Sequence, residues 1–198
     1  MIPTESYHVF NHANGNENLF VEEKNYAFFL QQLTKYILPV CNIYSYCMMP
    51  NHFHLVLQIR NEEELIKLWQ KPETLLNLNQ KQLELKISKS FANFFSSYTQ
   101  SFNKVYNRMG SLFIPSMKME RVIDDIHFCK LIHYTHANPV HHGFTKTIEL
   151  WPHSSYKILL SKHHTNLDRE FVLEKFGGID AFIKYHEQPI DLKTKFIE

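Results

Sequence analysis

Apolar positions in the first sixty residues predict the order strand, helix, strand, strand. Residues 6–11 (SYHVFN) are rich in strand-forming side chains and lead into a turn rich in Asn and Gly. From about residue 21 to 37, apolar side chains recur every three or four positions, which predicts a helix. Residues 40–48 and 52–59 then predict two strands, which the Pro-Asn turn at 50–51 joins as a hairpin.

A long helix is predicted in the middle of the chain, from about residue 81 to 107. Its apolar stripe at helical spacing is formed by Phe91, Phe94, Phe95, Tyr98, Phe102 and Val105. Such a stripe favours burial in a core over a platform for stacking bases. The preceding segment, 61–80, is polar with scattered leucines and a proline at its middle, which predicts a short helix and a mobile connection.

The second half of the chain predicts one more strand and a second long helix. Residues 110–122 predict a strand, and Pro115 restricts it to an edge or interrupts it. Asp124 or Asp125 then caps a helix that is expected to run to about Ala137. The Asn-Pro pair that follows should end this helix, because the residue before a proline is driven out of the helical region.

A tail from about residue 168 to 185 predicts one or two short helices, broken at the glycine pair 177–178. At 198 residues and 44% hydrophobic side chains, the chain is long enough for one domain with a core. The formal net charge of +1 gives no evidence for a polyanionic partner, although a local basic patch would be compatible with it.

The cysteines and the lack of targeting features predict the cellular compartment of the protein. The three cysteines form no Cys-x-x-Cys pair, which favours reduced thiols. The N-terminus has no signal-peptide pattern, and no apolar run approaches the roughly 20 residues needed to cross a bilayer. We therefore expect a soluble cytoplasmic protein with no membrane partner.

Candidate chemistry begins at the third predicted strand, which carries His52 and His54. Side chains two residues apart on a strand point to the same face, so both imidazoles project together while Phe53, Leu55 and Leu57 face a core. Two imidazoles on one face are half of a metal site. Alone, such a pair is more often without a metal role.

The helix expected at 124–137 carries the second half of the candidate site. Tyr134 lies four residues before Asn138, on nearly the same face, and Lys130 and His127 lie one and two turns earlier. With the histidine pair, an amide oxygen could complete a divalent-cation site open to a phosphate. The tyrosine could then attack a phosphodiester and form a covalent link. The alternative is a half-buried tyrosine and an asparagine that tolerates the helix end.

Two separated motifs give the chain a resemblance to a known family. Residues 49–55 (MPNHFHL) resemble the HUH signature (His, bulky hydrophobic, His) of single-tyrosine transposases. Residues 134–143 (YTHANPVHHG) are similar to the "YIHxNPVxxG" stretch of the REP-associated tyrosine transposases. Matches at 7–9 (YHV), around 106–113 and at 151–156 (WPHSSY) extend the resemblance over about residues 6–185.

The resemblance implies a fold and a division of the chain. The fold would be α+β, a ferredoxin-like or RRM-like antiparallel sheet with helices on one face, plus a short helical C-terminal tail. Residues 1–160 would form the catalytic domain, with an insertion at about 61–80, and residues 161–198 the tail. Monomeric and homodimeric relatives are both known, so the oligomeric state stays open.

The resemblance also implies an activity. His52, His54 and Asn138 would bind Mg²⁺ or Mn²⁺, and Tyr134 would be the nucleophile that cuts single-stranded DNA beside hairpins. The basic side chains offered for DNA contact are Lys118, Arg121, Lys130 and Arg108. The chain departs from relatives at His141-His142, where many have Arg or Lys, and at residues 114–118. Both departures lie in segments expected to form the DNA-contacting surface.

Two other functions stay open at this point. One is a domesticated relative that grips hairpin DNA without productive transposition. The other is an unrelated metal-dependent hydrolase that uses the histidine pair and water, and whose activity would not depend on Tyr134.

Overall fold

A four-stranded antiparallel sheet forms the centre of the molecule. The structure is a computed structural model that describes residues 1–69 and 78–189. Its strands are β1 (Ser6–His12), β2 (Cys41–Met49), β3 (His52–Ile59) and β4 (Lys118–Arg121), in the spatial order β2-β3-β1-β4. The first three strands and the Pro-Asn hairpin are confirmed. The fourth is shorter than the predicted 110–122 and lies at an edge of the sheet, after Pro115.

Helices and short helical turns make up most of the remaining described chain. They are α1 (Glu23–Tyr36), α2 (Glu62–Trp69), α3 (Gln80–Val105), α4 (Asp125–His141), a 3-10 turn (Ile148–Leu150), α5 (Tyr156–Leu160), α6 (Arg169–Phe176) and α7 (Ile179–His186). Asn79 caps α3 by accepting a hydrogen bond from the Gln82 backbone N–H at 3.0 Å. Within the described ranges, no helix combines the length and apolarity that a bilayer span requires.

Both faces of the sheet are covered, whereas the resemblance implied helices on one face. Phe53, Leu55 and Leu57 of β3 are buried with α1 and the aromatic stripe of α3 in one core. On the opposite face, Val56 packs in a second core with Phe128 and other residues of α4. The α+β class with an antiparallel sheet is confirmed, but the one-sided arrangement was wrong, because nearly every residue of β2 and β3 is buried and both faces of these strands are therefore covered.

Helix α4 continues through Pro139 to His141, so the prediction that it ends before the proline was wrong. The proline lies in the last turn, where its missing N–H removes one hydrogen bond near a helix end. The helix still closes, because the His142 N–H donates to the Asn138 carbonyl at 3.0 Å and Gly143 adopts a φ of 72°. Asn138 therefore lies within the helix, one turn after Tyr134.

Residues 61–69 and 168–185 also follow the predicted pattern of short helices. Helix α2 is the short helix expected in the insertion, and the connection expected after it falls on residues 70–77, outside the described part. Helices α6 and α7 are the two tail helices, and they are separated by Gly177 and Gly178, which have φ values of 83° and 109°. Val172 and Phe182 of these helices share the core under α4.

Candidate active site

Strands β1 and β3 place a cluster of rings on the sheet face that α4 covers. The antiparallel register forms the cross-strand pairs His12–His52, Phe10–His54 and His8–Val56. Because directly paired residues point to the same side, His8 and His12 join His52 and His54 on one face. The ring of His12 stacks on that of His52, with 4.5 Å between centroids. The predicted orientation of the His52/His54 pair is confirmed.

His52 presents a lone pair towards α4. Its Nδ1 lies 2.7 Å from the Asn51 Oδ1, an oxygen that can only accept, so the imidazole proton lies on Nδ1. The opposite nitrogen, Nε2, lies 3.4 Å from the Asn138 Oδ1. Burial, followed by the nearby His12 and His142, lowers the pKa of His52 to about 3, so the ring is neutral at pH 7.

His54 is held through a chain of groups that starts at β4. The Glu120 carboxylate lies 4.0 Å from His8 Nδ1 and favours a proton there. His8 Nε2 then accepts from His54 Nδ1, and the two nitrogens are 2.9 Å apart. The remaining nitrogen of His54, Nε2, is left with its lone pair. Burial holds the pKa of His54 well below its usual value, which keeps this ring neutral as well.

Helix α4 brings Tyr134 and Asn138 against these histidines. The Tyr134 ring is edge-on to His54 and His8, with centroid distances of 5.6 and 5.9 Å. Asn138 follows one turn later and reaches His52. Tyr134 is 3% exposed and Asn138 is fully buried, so the site lies between the sheet and the helix rather than in an open cleft.

The donor atoms fit a small divalent cation. His52 Nε2 and Asn138 Oδ1 lie 3.4 Å apart, and an imidazole nitrogen and an amide oxygen are both ligands that divalent cations accept. The Asn138 Nδ2 is buried and has no hydrogen-bond partner among the protein groups. Among the described residues, no group of three or more His, Cys, Asp or Glu could hold a metal; the candidate ligands instead combine two imidazoles with an amide.

Of the four basic residues offered for DNA contact, Lys118 lies nearest to the site in the sheet. It pairs with Phe10, which pairs in turn with His54, and it is exposed. Arg121 points to the opposite face, where both of its hydrogen bonds go to the Glu5 carboxylate at 2.6 Å. Arg108 is paired with Glu17, and Lys130 is half-buried on α4. The structure does not gather the four into one patch.

Sequence reasoning missed His8, His12, Glu120 and His142 as parts of this site. The His142 ring lies 5.0 Å from that of His52, just after α4. The sequence did contain a signal for the first two. His8 and His12 are an even number of positions apart on β1, so their side chains point to the same face of the strand. Their neighbours could not be identified without the register of the sheet, which pairs residues forty or more positions apart.

Comparison with known proteins supports the fold. No family model matches the sequence, and no curated protein matches it significantly. A solved structure of a REP-associated tyrosine transposase bound to a REP hairpin is similar, with a TM-score of 0.55 over 82% of each chain. The identity is 14%, so the likeness shows a shared α+β fold and leaves the chemistry to be argued from the residues.

Proposed function

We propose that this protein is a metal-dependent single-stranded DNA endonuclease and strand transferase, similar to a transposase, that acts beside hairpins. The observation that carries the proposal is that Tyr134 and Asn138, one helical turn apart, meet His54 and His52 on the same sheet face. Support also comes from the two motifs and from the fold shared with a transposase bound to hairpin DNA.

His52, His54 and Asn138 would hold the cation, Mg²⁺ or Mn²⁺. The nitrogen ligands suit Mn²⁺, and the resemblance is the reason to include Mg²⁺. When bound, the cation polarises the scissile phosphodiester and offsets the charge that develops on it. Asn51 orients His52, and His8 with Glu120 orients His54, so both ligands present Nε2.

Tyr134 would be the nucleophile. Its phenol oxygen forms a bond to phosphorus and loses its proton, while the bond from phosphorus to the 3′ oxygen breaks and that oxygen takes up a proton. The products are a 5′-phosphotyrosine and a free 3′-hydroxyl. Because the phosphotyrosine conserves the bond energy, another 3′-hydroxyl can displace the tyrosine and rejoin DNA, which is strand transfer.

A cleavage assay tests this proposal. A labelled hairpin with single-stranded flanks is incubated with Mn²⁺ and resolved on a denaturing gel, with chelator in a parallel reaction. Wild type should nick the strand with Mn²⁺ and not with chelator, and Tyr134→Phe should not nick. Tyr36→Phe, which changes a tyrosine at the far end of α1, serves as the matched control and should nick like wild type. Nicking by Tyr134→Phe would refute the role of the tyrosine.

The burial of the site favours a second candidate, a hairpin-binding protein that does not cut. Tyr134 and Asn138 are shielded by the sheet below and by α4 itself, so a phosphate reaches them only if the helix moves. This candidate predicts that Tyr134→Phe binds hairpin DNA like wild type and that no tested metal produces a nick. The cleavage assay therefore separates the two.

A further inference from the structure

A ladder of aromatic rings leads away from the candidate active site. It begins at His142, whose ring is 5.0 Å from that of His52. It continues through the segment that follows α4 and ends at Tyr26 of α1. Its members are His142, Phe144, Trp151, His153 and Tyr26, which we call the aromatic track. Successive ring centroids along it are 6.3, 5.8, 5.6 and 3.5 Å apart.

The track is open to solvent at the end nearest the active site. His142 is exposed and Phe144 is 44% exposed, while Trp151, His153 and Tyr26 are half-buried. Among the Phe, Tyr and Trp side chains of residues 1–69 and 78–189, Phe144 alone is exposed rather than buried or half-buried. An exposed phenyl ring does not gain the free energy that burial provides. Phe144 therefore contributes less to the stability of the fold than the buried rings do.

Hydrogen bonds fix the backbone at Phe144 and the indole of Trp151. The Phe144 N–H donates to the Pro139 carbonyl at 2.8 Å, directly after the left-handed turn at Gly143. The Trp151 Nε1 donates to the Met48 carbonyl at 3.1 Å, which ties the indole to β2. An indole fixed in this way loses little conformational entropy when a flat ligand stacks on it.

The charge near the track favours a ligand held by stacking rather than by attraction to phosphate. Residues 141–153 carry one lysine, Lys146, and one glutamate, Glu149, and His153 is already 3.3 Å from the Glu23 carboxylate. The whole chain has a formal net charge of +1. Single-stranded nucleic acid stacks its bases on aromatic rings, because every base presents a flat face to such a ring.

We propose that the aromatic track binds unpaired nucleotides of the DNA strand next to the scissile phosphate, by stacking bases on Phe144 and on the edge of Trp151. This inference rests on the proposed function, because it takes the strand from the active site onto the track. Duplex DNA cannot use the track in this way, since its bases are already stacked on one another. The track therefore distinguishes a hairpin with a single-stranded extension from a blunt hairpin.

Binding in the presence of chelator tests the track without any cleavage. Fluorescence anisotropy compares a blunt hairpin with hairpins that carry a short single-stranded extension on the 5′ or the 3′ side. Wild type should bind one extended hairpin more tightly than the blunt one. Phe144→Ala should lower affinity for that extended hairpin about tenfold, or about 1.4 kcal/mol, and leave the blunt hairpin unaffected. Phe144→Trp should retain the preference.

Two controls separate stacking from folding and from general apolarity. Leu150→Ala removes another exposed apolar side chain of the same segment and should bind both hairpins like wild type. In a Trp69→Phe background, Trp151 is the remaining tryptophan, and its fluorescence should be quenched by the extended hairpin and not by the blunt one.

The inference is overturned if Phe144→Ala binds both hairpins like wild type, if it weakens both equally, or if wild type shows no preference for an extension. These results are independent of the cleavage assay. Phe144-dependent binding without any nicking would refute the proposed catalysis and keep the track. Nicking without a contribution from Phe144 would refute the track and keep the catalysis.

Discussion

At the scale of single residues, each candidate metal ligand on β3 is fixed by a neighbour of its own. Asn51 holds Nδ1 of His52, and His8, aided by Glu120, holds Nδ1 of His54. Partners of this kind set the tautomer and orientation of a ligating imidazole. The site is therefore larger than the motif, because it draws on β1 and β4 as well as on β3 and α4.

Replacing His8 with Phe should weaken metal binding. The ring keeps its volume in the buried stack but no longer accepts from His54 Nδ1, and loss of such a partner typically costs about 10–100-fold in metal affinity. The dissociation constant for Mn²⁺, measured by electron paramagnetic resonance, reports this directly. His164→Phe, at an exposed position, is the control. Unchanged Mn²⁺ affinity in a folded His8→Phe protein would contradict the assignment.

Lys118 and Arg121 should differ in their contribution to DNA binding, although both lie on β4. Lys118 is on the site face, whereas the Arg121 charge is neutralised by Glu5 on the other face. Lys118→Ala should weaken hairpin binding and reduce the slope of log affinity against log salt by about 1. Arg121→Ala should change neither quantity. Equal effects of the two substitutions, measured by a salt titration, would refute this distinction.

At the scale of elements, the helix that carries Tyr134 is clamped by a buried hydrogen-bond chain. His186 of α7 donates from Nδ1 to the Phe182 carbonyl, so its Nε2 accepts from His136 Nδ1 at 2.9 Å. The remaining nitrogen of His136 accepts from the Ser155 hydroxyl at 2.8 Å, and this hydroxyl accepts from the Tyr46 N–H. Helix α4 is thus joined to the tail and to β2, two residues after Tyr134.

Removing Ser155 from this chain should destabilise the fold. Ser155→Ala leaves a buried nitrogen of His136 without a partner, which costs about 1–3 kcal/mol in the free energy of unfolding. Urea denaturation measures the change. Ser96→Ala, at an exposed position of α3, should be close to neutral. If both variants unfold at the same urea concentration, the chain does not contribute to stability.

Local sequence patterns predicted much of the site. The remaining features could not be predicted, because they depend on contacts between residues that are distant in sequence. The shared face of His52 and His54 and the one-turn spacing of Tyr134 and Asn138 follow from strand and helix periods. The passage of α4 through Pro139 did not follow, because tertiary packing outweighs the local cost of a proline in the last turn. The second covered face did not follow either, because it depends on the packing of Val56 against Phe128 of α4, two residues far apart in the sequence.

At the scale of the whole molecule, the fold buries seven of the thirteen histidines. Burial is the main cause that lowers the pKa of His133 to about 4 and that of His186 to about 3, from an ordinary value of 6.5. The pKa values of His8, His54 and His136 are shifted in the same direction. The folded state thus holds these rings neutral on both sides of α4.

We therefore expect acid to destabilise the protein at pH values well above those at which carboxylates usually titrate. Below pH 6.5 the unfolded chain takes up protons that the buried histidines do not, so the free energy of unfolding falls as pH falls from 6.5 towards 4. Each such histidine adds a slope of up to about 1.4 kcal/mol per pH unit. Denaturant unfolding at several pH values measures the slope, which His186→Gln should reduce and His164→Gln should not. A stability that is flat between pH 7 and 5 would contradict this account.

Locating the linkage by mass spectrometry tests whether Tyr134 becomes covalently bound to DNA. Wild-type protein is incubated with a single-stranded, hairpin-flanked substrate and Mn²⁺, digested with protease and nuclease, and analysed by mass spectrometry. We expect a 5′-phosphonucleotide on the peptide that contains Tyr134, and none on the corresponding peptide of Tyr134→Phe. An adduct on another residue, or cleaved DNA without any adduct, would contradict this expectation.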